Sequence, residues 1–300
     1  MIDVFAHVLA PKFLKKMLEV APDALEKNSW MKNPLLTDLS KRIATMETDQ
    51  QQIISMVNLN PEDFTGVEES VNLCRQANDE LESIVKTYPN QFPAFVAMLP
   101  MNDIQAALKL IDQQVVDNPL AAGVQLFTRA MQKPIASEEF EPIFAKMVQI
   151  GKPIWLHPVF DERKLDNNLT FGWEYEQTLA MNDIVNKGYF DRFPGLKIIV
   201  HHAGAMVPYF AQRIYHIQGQ EKYQVFKKFY VDTALLGNSG ALALAVSFFG
   251  IDHVLFGTDT PLGIAPDGPT EVIKQAILAM NLSEAEKNQI FSGNWQQLKS

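Results

Sequence analysis

The chain has one cysteine, Cys74, in 300 residues, so no internal disulfide can staple it. A reducing compartment is expected, with Cys74 a small buried apolar group on a helix. Clustered positive charge is missing too. The 26 Lys and Arg stand against 35 Asp and Glu, a net charge of −9, with no basic block and no basic-aromatic interleaving. That balance argues against a nucleic-acid partner. No apolar run approaches the roughly 18 residues of a membrane span. The start, Met1-Ile2-Asp3, lacks the basic-then-apolar plan of a secretion signal. A cytoplasmic protein away from membranes is therefore expected. No repeat, low-complexity tract or linker divides the chain, which reads as one domain over residues 1–300.

What is present is a recurring strand grammar. His253-Val254-Leu255-Phe256-Gly257-Thr258-Asp259-Thr260-Pro261 is a short apolar run ending in Gly, a carboxylate and Pro. Such a run predicts a buried parallel strand with Asp259 at its carboxyl end. Pro153 to Pro158 repeats the pattern and delivers His157; Lys197 to Gly204 delivers His201 and His202; Met1 to His7 delivers His7. Four strand ends that each carry a metal-competent or proton-transferring side chain are not core filling.

Further strands are predicted at Gln52–Asn58, Phe92–Leu99, Ala122–Phe127 and Phe229–Thr233, with helical periodicity between them. Eight strands alternating with helices predict a (β/α)8 TIM barrel. An open doubly wound sheet would want a Gly-rich loop after strand 1, and His7-Val8-Leu9-Ala10-Pro11 is not one. The long connection from Val8 to Asn33 reads as an inserted helical lid or rim. The polar stretch Pro158–Trp173, with Asp161, Glu162, Arg163 and Asn167, reads as a functional loop.

Strand ends of a closed barrel converge on one axial point. His7, His157 and Asp259 there would give two imidazoles and a carboxylate with positions left open, the plan of a catalytic metal site. One divalent cation is expected, Zn²⁺ in preference to Mn²⁺. His202 would serve as general acid or base, with Ala203-Gly204 leaving space beside it. His201, its neighbour, would point the other way and pack under a helix. His216 and His253 read as structural or exposed.

At these residues the chain resembles the amidohydrolase superfamily, in the branch holding aminocarboxymuconate-semialdehyde, resorcylate and carboxyvanillate decarboxylases. The likeness runs through Ile2-Asp3-Val4 with His7, Leu156-His157-Pro158, Gly172-Trp173, His202 to Pro208-Tyr209 and Leu255-Phe256-Gly257-Thr258-Asp259. It implies a barrel with His7, His157 and Asp259 as ligands and His202 as the proton-handling residue. It also implies Arg42 and Arg213 as grips on a substrate carboxylate, Trp173 as a pocket wall, and a homodimer in which one arginine crosses between subunits. Read alone, both arginines look like surface helix residues. The resemblance has one departure: Phe5 stands where the superfamily carries a first His or Glu ligand. A phenyl ring cannot ligate, and it makes the site more apolar, favouring an aromatic or aliphatic acid over a sugar.

Three functions follow. The first is a metal-dependent carboxy-lyase of a small unsaturated or aromatic carboxylic acid. The second is a hydrolase of a lactone, ester or amide, with Asp259 acting also as base. The third is a degenerate barrel that binds a small acid without metal or turnover, as Phe5 suggests.

Overall fold

A computed structural model describes residues 1–159 and 168–300; Asp161, Glu162, Arg163 and Asn167 of the expected functional loop lie outside the described residues. The strands are β1 (Ile2–Val8), β2 (Gln51–Met56), β3 (Ala94–Ala97), β4 (Ala121–Phe127), β5 (Arg129–Ala130), β6 (Lys133–Pro134), β7 (Ile154–His157), β8 (Ile198–Val200) and β9 (Tyr230–Val231). Seven of them form one parallel sheet in the order β1-β2-β3-β4-β7-β8-β9, while β5 and β6 make a small separate hairpin.

The eighth predicted strand, His253–Gly257, is not a laddered strand but an extended segment with a single bridge, Val231 to Val254. Its backbone still joins both edges of the sheet. Leu255 N–H donates to Val231 O at 2.8 Å, and Val4 N–H donates to Phe256 O at 2.8 Å. The circuit from β1 to β9 and back is thus hydrogen-bonded all the way round, as barrel strands require to leave no open edge. Gly257 makes the closure possible. A Cβ there would come within 2.7 Å of the Asp232 Cβ and 3.0 Å of the Phe5 Cβ, so the segment could not pass between them.

Two apolar layers follow from strand alternation. Ile53, Val96, Trp155, Ile199 and Leu255 face inward as a compact cluster. Trp155 is fully buried and donates its indole N–H to Val4 O at 2.8 Å. Trp295 and Leu298 of the last helix (Asn294–Leu298) join this cluster. Truncating a side chain like Trp155 costs about 3–5 kcal/mol in a packed interior. The opposite faces of the strands pack against the helices. The 21-residue helix Val67–Thr87 buries Leu73, Cys74, Ala77 and Leu81 there, which accounts for the lone cysteine.

The connection after β1 folds into helices Pro11–Val20, Ala24–Lys27 and Pro34–Thr37 with a 3-10 turn at Ser29–Lys32. Phe13 and Met17 anchor it in the core. The Glu80 carboxylate accepts from the Lys12 and Phe13 backbone N–H groups, supplying the N-terminal partners that Ala10 cannot. Ser283 and Glu286 form a capping box on the helix Glu284–Asn288. After β8 the chain forms a short helical turn, Ala211–Arg213, running into a π-turn, Ile214–Gln218. Among the described residues, no helix is long and apolar enough to cross a membrane.

Candidate metal centre

β1, β7, β8 and the eighth segment deliver His7, His157, His201 and Asp259 to one point. Each offers one ligand atom, and the four atoms lie within 4.8 Å of one another. All three imidazoles are tied down through Nδ1: His7 to Ser55 Oγ at 3.0 Å, His157 to Pro158 O at 2.5 Å, and His201 to the Asp232 carboxylate. Outer partners of this kind fix ring orientation and leave Nε2 as the inward atom. His7 Nε2 and His201 Nε2 are buried and make no hydrogen bond. They stand 3.2 and 3.5 Å from Asp259 Oδ1, close to that oxygen but without the alignment of a hydrogen bond.

The electrostatics fit a cation. Burial pushes His7 and His157 below the usual imidazole range, His157 strongly, so both are neutral and carry a lone pair. Burial also acts to lower His201, but Asp232 and Asp259 outweigh it and raise this imidazole to about 10. Asp259 is held well below the ordinary carboxylate range: burial raises it, and His201 and His7 more than reverse that. The proton on His201 therefore offsets the charge of flanking carboxylates, a role that a divalent ion among the four would take over. With that proton displaced, three imidazole nitrogens and one carboxylate oxygen make a donor set that suits such an ion.

His201 corrects the expectation that it points away. Trp155 pairs with Ile199 and Leu156 with Val200 across the β7–β8 ladder, and Trp155 and Ile199 both face inward. Two residues on, His157 and His201 face the same way. The all-apolar run Ile198–Val200 does not mark its own inward face; the register against β7 sets it.

His202 lies just past that position, in a left-handed conformation with φ +53°. It is buried, its ring 4.0 Å from that of His201, and its Nδ1 sits 2.6 Å from Glu174 Oε1. Glu174 opens the helix Gly172–Asn186 beside Trp173. The Trp173 ring stands 5.6 Å from His157 and 6.4 Å from His202, stacked on the latter at 22°. Sequence reasoning singles out Trp173 and His202 but misses Glu174, which carries no local signal.

The arginines separate. Arg42 is not on the surface. It is fully buried, and it donates to Gln52 Oε1 at 3.0 Å, Thr260 O at 3.0 Å and His7 O at 3.4 Å. Burial, only partly opposed by Asp3, pulls it down to about 10. It braces the backbone that carries His7 and Asp259. Arg213 is exposed, on a stretch that also exposes Tyr209, Phe210 and Ile217. Phe5 is buried beneath the cluster, its ring stacked on His201 at 4.0 Å and 19°.

Known proteins resemble this arrangement. A 6-methylsalicylic acid decarboxylase of Penicillium expansum is 27% identical over 309 aligned residues, covering 97% of this chain and 94% of its own. The 5-carboxyvanillate decarboxylase of Sphingomonas paucimobilis superposes with a TM-score of 0.86 at 19% identity, over 99% of this chain and 98% of its own. A dihydroxybenzoic acid decarboxylase from Polaromonas sp., solved with manganese and the inhibitor 2-nitroresorcinol, gives 0.81 at 22% identity, over 99% of this chain and 96% of its own. At such identities the structural likeness speaks for the fold. The amidohydrolase family model matches residues 2–294, nearly the whole barrel and each of the four strand ends that meet at the cluster, and the chain belongs to that family.

Proposed function

We propose that this protein is a metal-dependent, non-oxidative decarboxylase of a small aromatic acid carrying a hydroxyl next to its carboxylate. The observation that carries this reading is the convergence of His7, His157, His201 and Asp259 within 4.8 Å beside the Glu174–His202 pair. The similar proteins support the substrate class, since salicylic and 2,6-dihydroxybenzoic acids share that hydroxyl. These decarboxylases lend the hydrolase alternative no support.

The bond between the ring carbon and the carboxyl carbon breaks, its electron pair stays on the ring, CO₂ leaves, and a proton takes its place. No oxidant or reductant is needed. His7, His157 and Asp259 would hold the cation, which when bound supplies fixed positive charge opposite the substrate oxygens. His202, with Nδ1 on Glu174, keeps Nε2 for the proton that goes to the ring carbon, and Glu174 stabilises the charged imidazole. Trp173 suits an aromatic ring.

The metal is one divalent ion. The preference for Zn²⁺ over Mn²⁺ gains nothing from the relatives, one of which was solved with manganese. We assign residues 1–300 to one catalytic unit, because both ends of the chain enter the same barrel interior. The helical segment after β1 acts as a rim: Asn33 donates to Pro261 O at 2.9 Å, two residues past Asp259. Arg213 and its exposed apolar neighbours support a homodimer in which Arg213 reaches the partner's substrate carboxylate. The lone buried cysteine supports a cytoplasmic home.

The test is CO₂ release from 2,6-dihydroxybenzoate, 6-methylsalicylate and 5-carboxyvanillate, with Mn²⁺ or Zn²⁺ added. Release from at least one, abolished by a chelator, is expected. No CO₂ from any acid, with turnover of a lactone instead, would overturn the reading.

A further inference from the structure

Position 5 lies one alternation before His7 on β1, and its ring reaches the same point. The Phe5 centroid is 4.0 Å from the His201 ring, 5.7 Å from His7 and 5.9 Å from His157. A donor at position 5 would therefore face the cluster, and phenylalanine has no lone pair to give. Facing it across the stack is His201, an imidazole with one nitrogen clamped and the other bare. The clamp is rigid: Asp232 holds His201 Nδ1 through one oxygen, while the other accepts from Ala203 N–H at 2.9 Å and Ala234 N–H at 3.0 Å. The clamp leaves Nε2 as the atom that faces the cluster, and that buried nitrogen has no hydrogen-bond partner.

We propose that His201 is a fourth protein ligand of the metal, supplying from β8 the donor that Phe5 cannot supply from β1, with Phe5 serving as the flat shelf beneath it. This rests on the metal reading above and goes beyond it, because it makes positions 5 and 201 interchangeable. Either can carry the donor, and the other is then free to be apolar or small.

The experiment measures metal affinity by competition with a chromogenic chelator, using Mn²⁺ and Zn²⁺ and no substrate. His201→Asn keeps a donor for Asp232 and preserves the fold; it is expected to weaken binding about 100-fold. Phe5→His in the His201→Asn background is expected to recover at least about tenfold of that loss. His201→Cys loaded with Co²⁺ is expected to show a thiolate-to-cobalt charge-transfer band, a signature that only a donor touching the metal produces. Unchanged affinity in His201→Asn, or no such band in His201→Cys, overturns the ligand assignment and leaves the decarboxylase reading standing. Wild-type protein that takes up no divalent metal overturns both.

Discussion

His202 and Glu174 lie 2.6 Å apart, Nδ1 to Oε1, although 28 residues separate them in the chain. One stands on the turn after β8, the other on the first turn of the helix Gly172–Asn186. The carboxylate selects the imidazole tautomer and fixes the ring's orientation. Glu174→Gln should lower kcat about 10- to 100-fold while metal content and KM stay near wild type. Steady-state kinetics with elemental analysis checks this, and an unchanged kcat would remove Glu174 from the proton path.

Arg42 braces the backbone around the cluster. Its guanidinium holds the carbonyls of His7 and Thr260, which flank the metal-facing side chains in sequence. Arg42→Met should destabilise the protein by about 3 kcal/mol, since it leaves buried carbonyls unpaired. Metal affinity should fall with it. Urea denaturation read beside KM separates the possibilities: a raised KM at unchanged stability would mean that Arg42 grips substrate after all.

Glu62, in the 3-10 turn Pro61–Asp63, is buried, and that burial pushes its carboxyl up to about 8. Its folded value exceeds the unfolded value of 4.5, so the folded state holds the proton more tightly. The resulting contribution is complete below about pH 4.5 and is lost as pH rises through about 8. Stability should decline across that window by up to about 5 kcal/mol, and Glu62→Gln should flatten the decline. Denaturation midpoints at a series of pH values test the slope.

Tyr209 and Ile217, 75% and 68% exposed, flank Arg213 in the chain. In the proposed homodimer a partner subunit covers these side chains. Sedimentation equilibrium should return a dimer for the wild type and a monomer for Ile217→Asp combined with Tyr209→Asp. Arg213→Ala should leave the dimer intact and raise KM.

Several features are legible in the sequence because they depend on local pattern. The apolar runs locate all eight barrel segments. The eighth segment reads as a full strand and is not one: its apolar residues are buried like a strand's, but only one bridge forms before the chain turns at Asp259, which has φ +64°. His201 falls one step of alternation away from where the chain alone puts it, because a strand's inward face is settled by its neighbour's register and not by its own residues.

The chain alone determined which side chains could ligate and that they would stand at strand ends, since strand length and punctuation are properties of a few adjacent residues. It did not determine which of two adjacent histidines faces the axis, that Arg42 would be swallowed as a brace, or that Glu174 would meet His202. Those outcomes depend on contacts between residues far apart in sequence. Only closure of the sheet, which sets register and brings β1 beside the segment carrying Asp259, decides them.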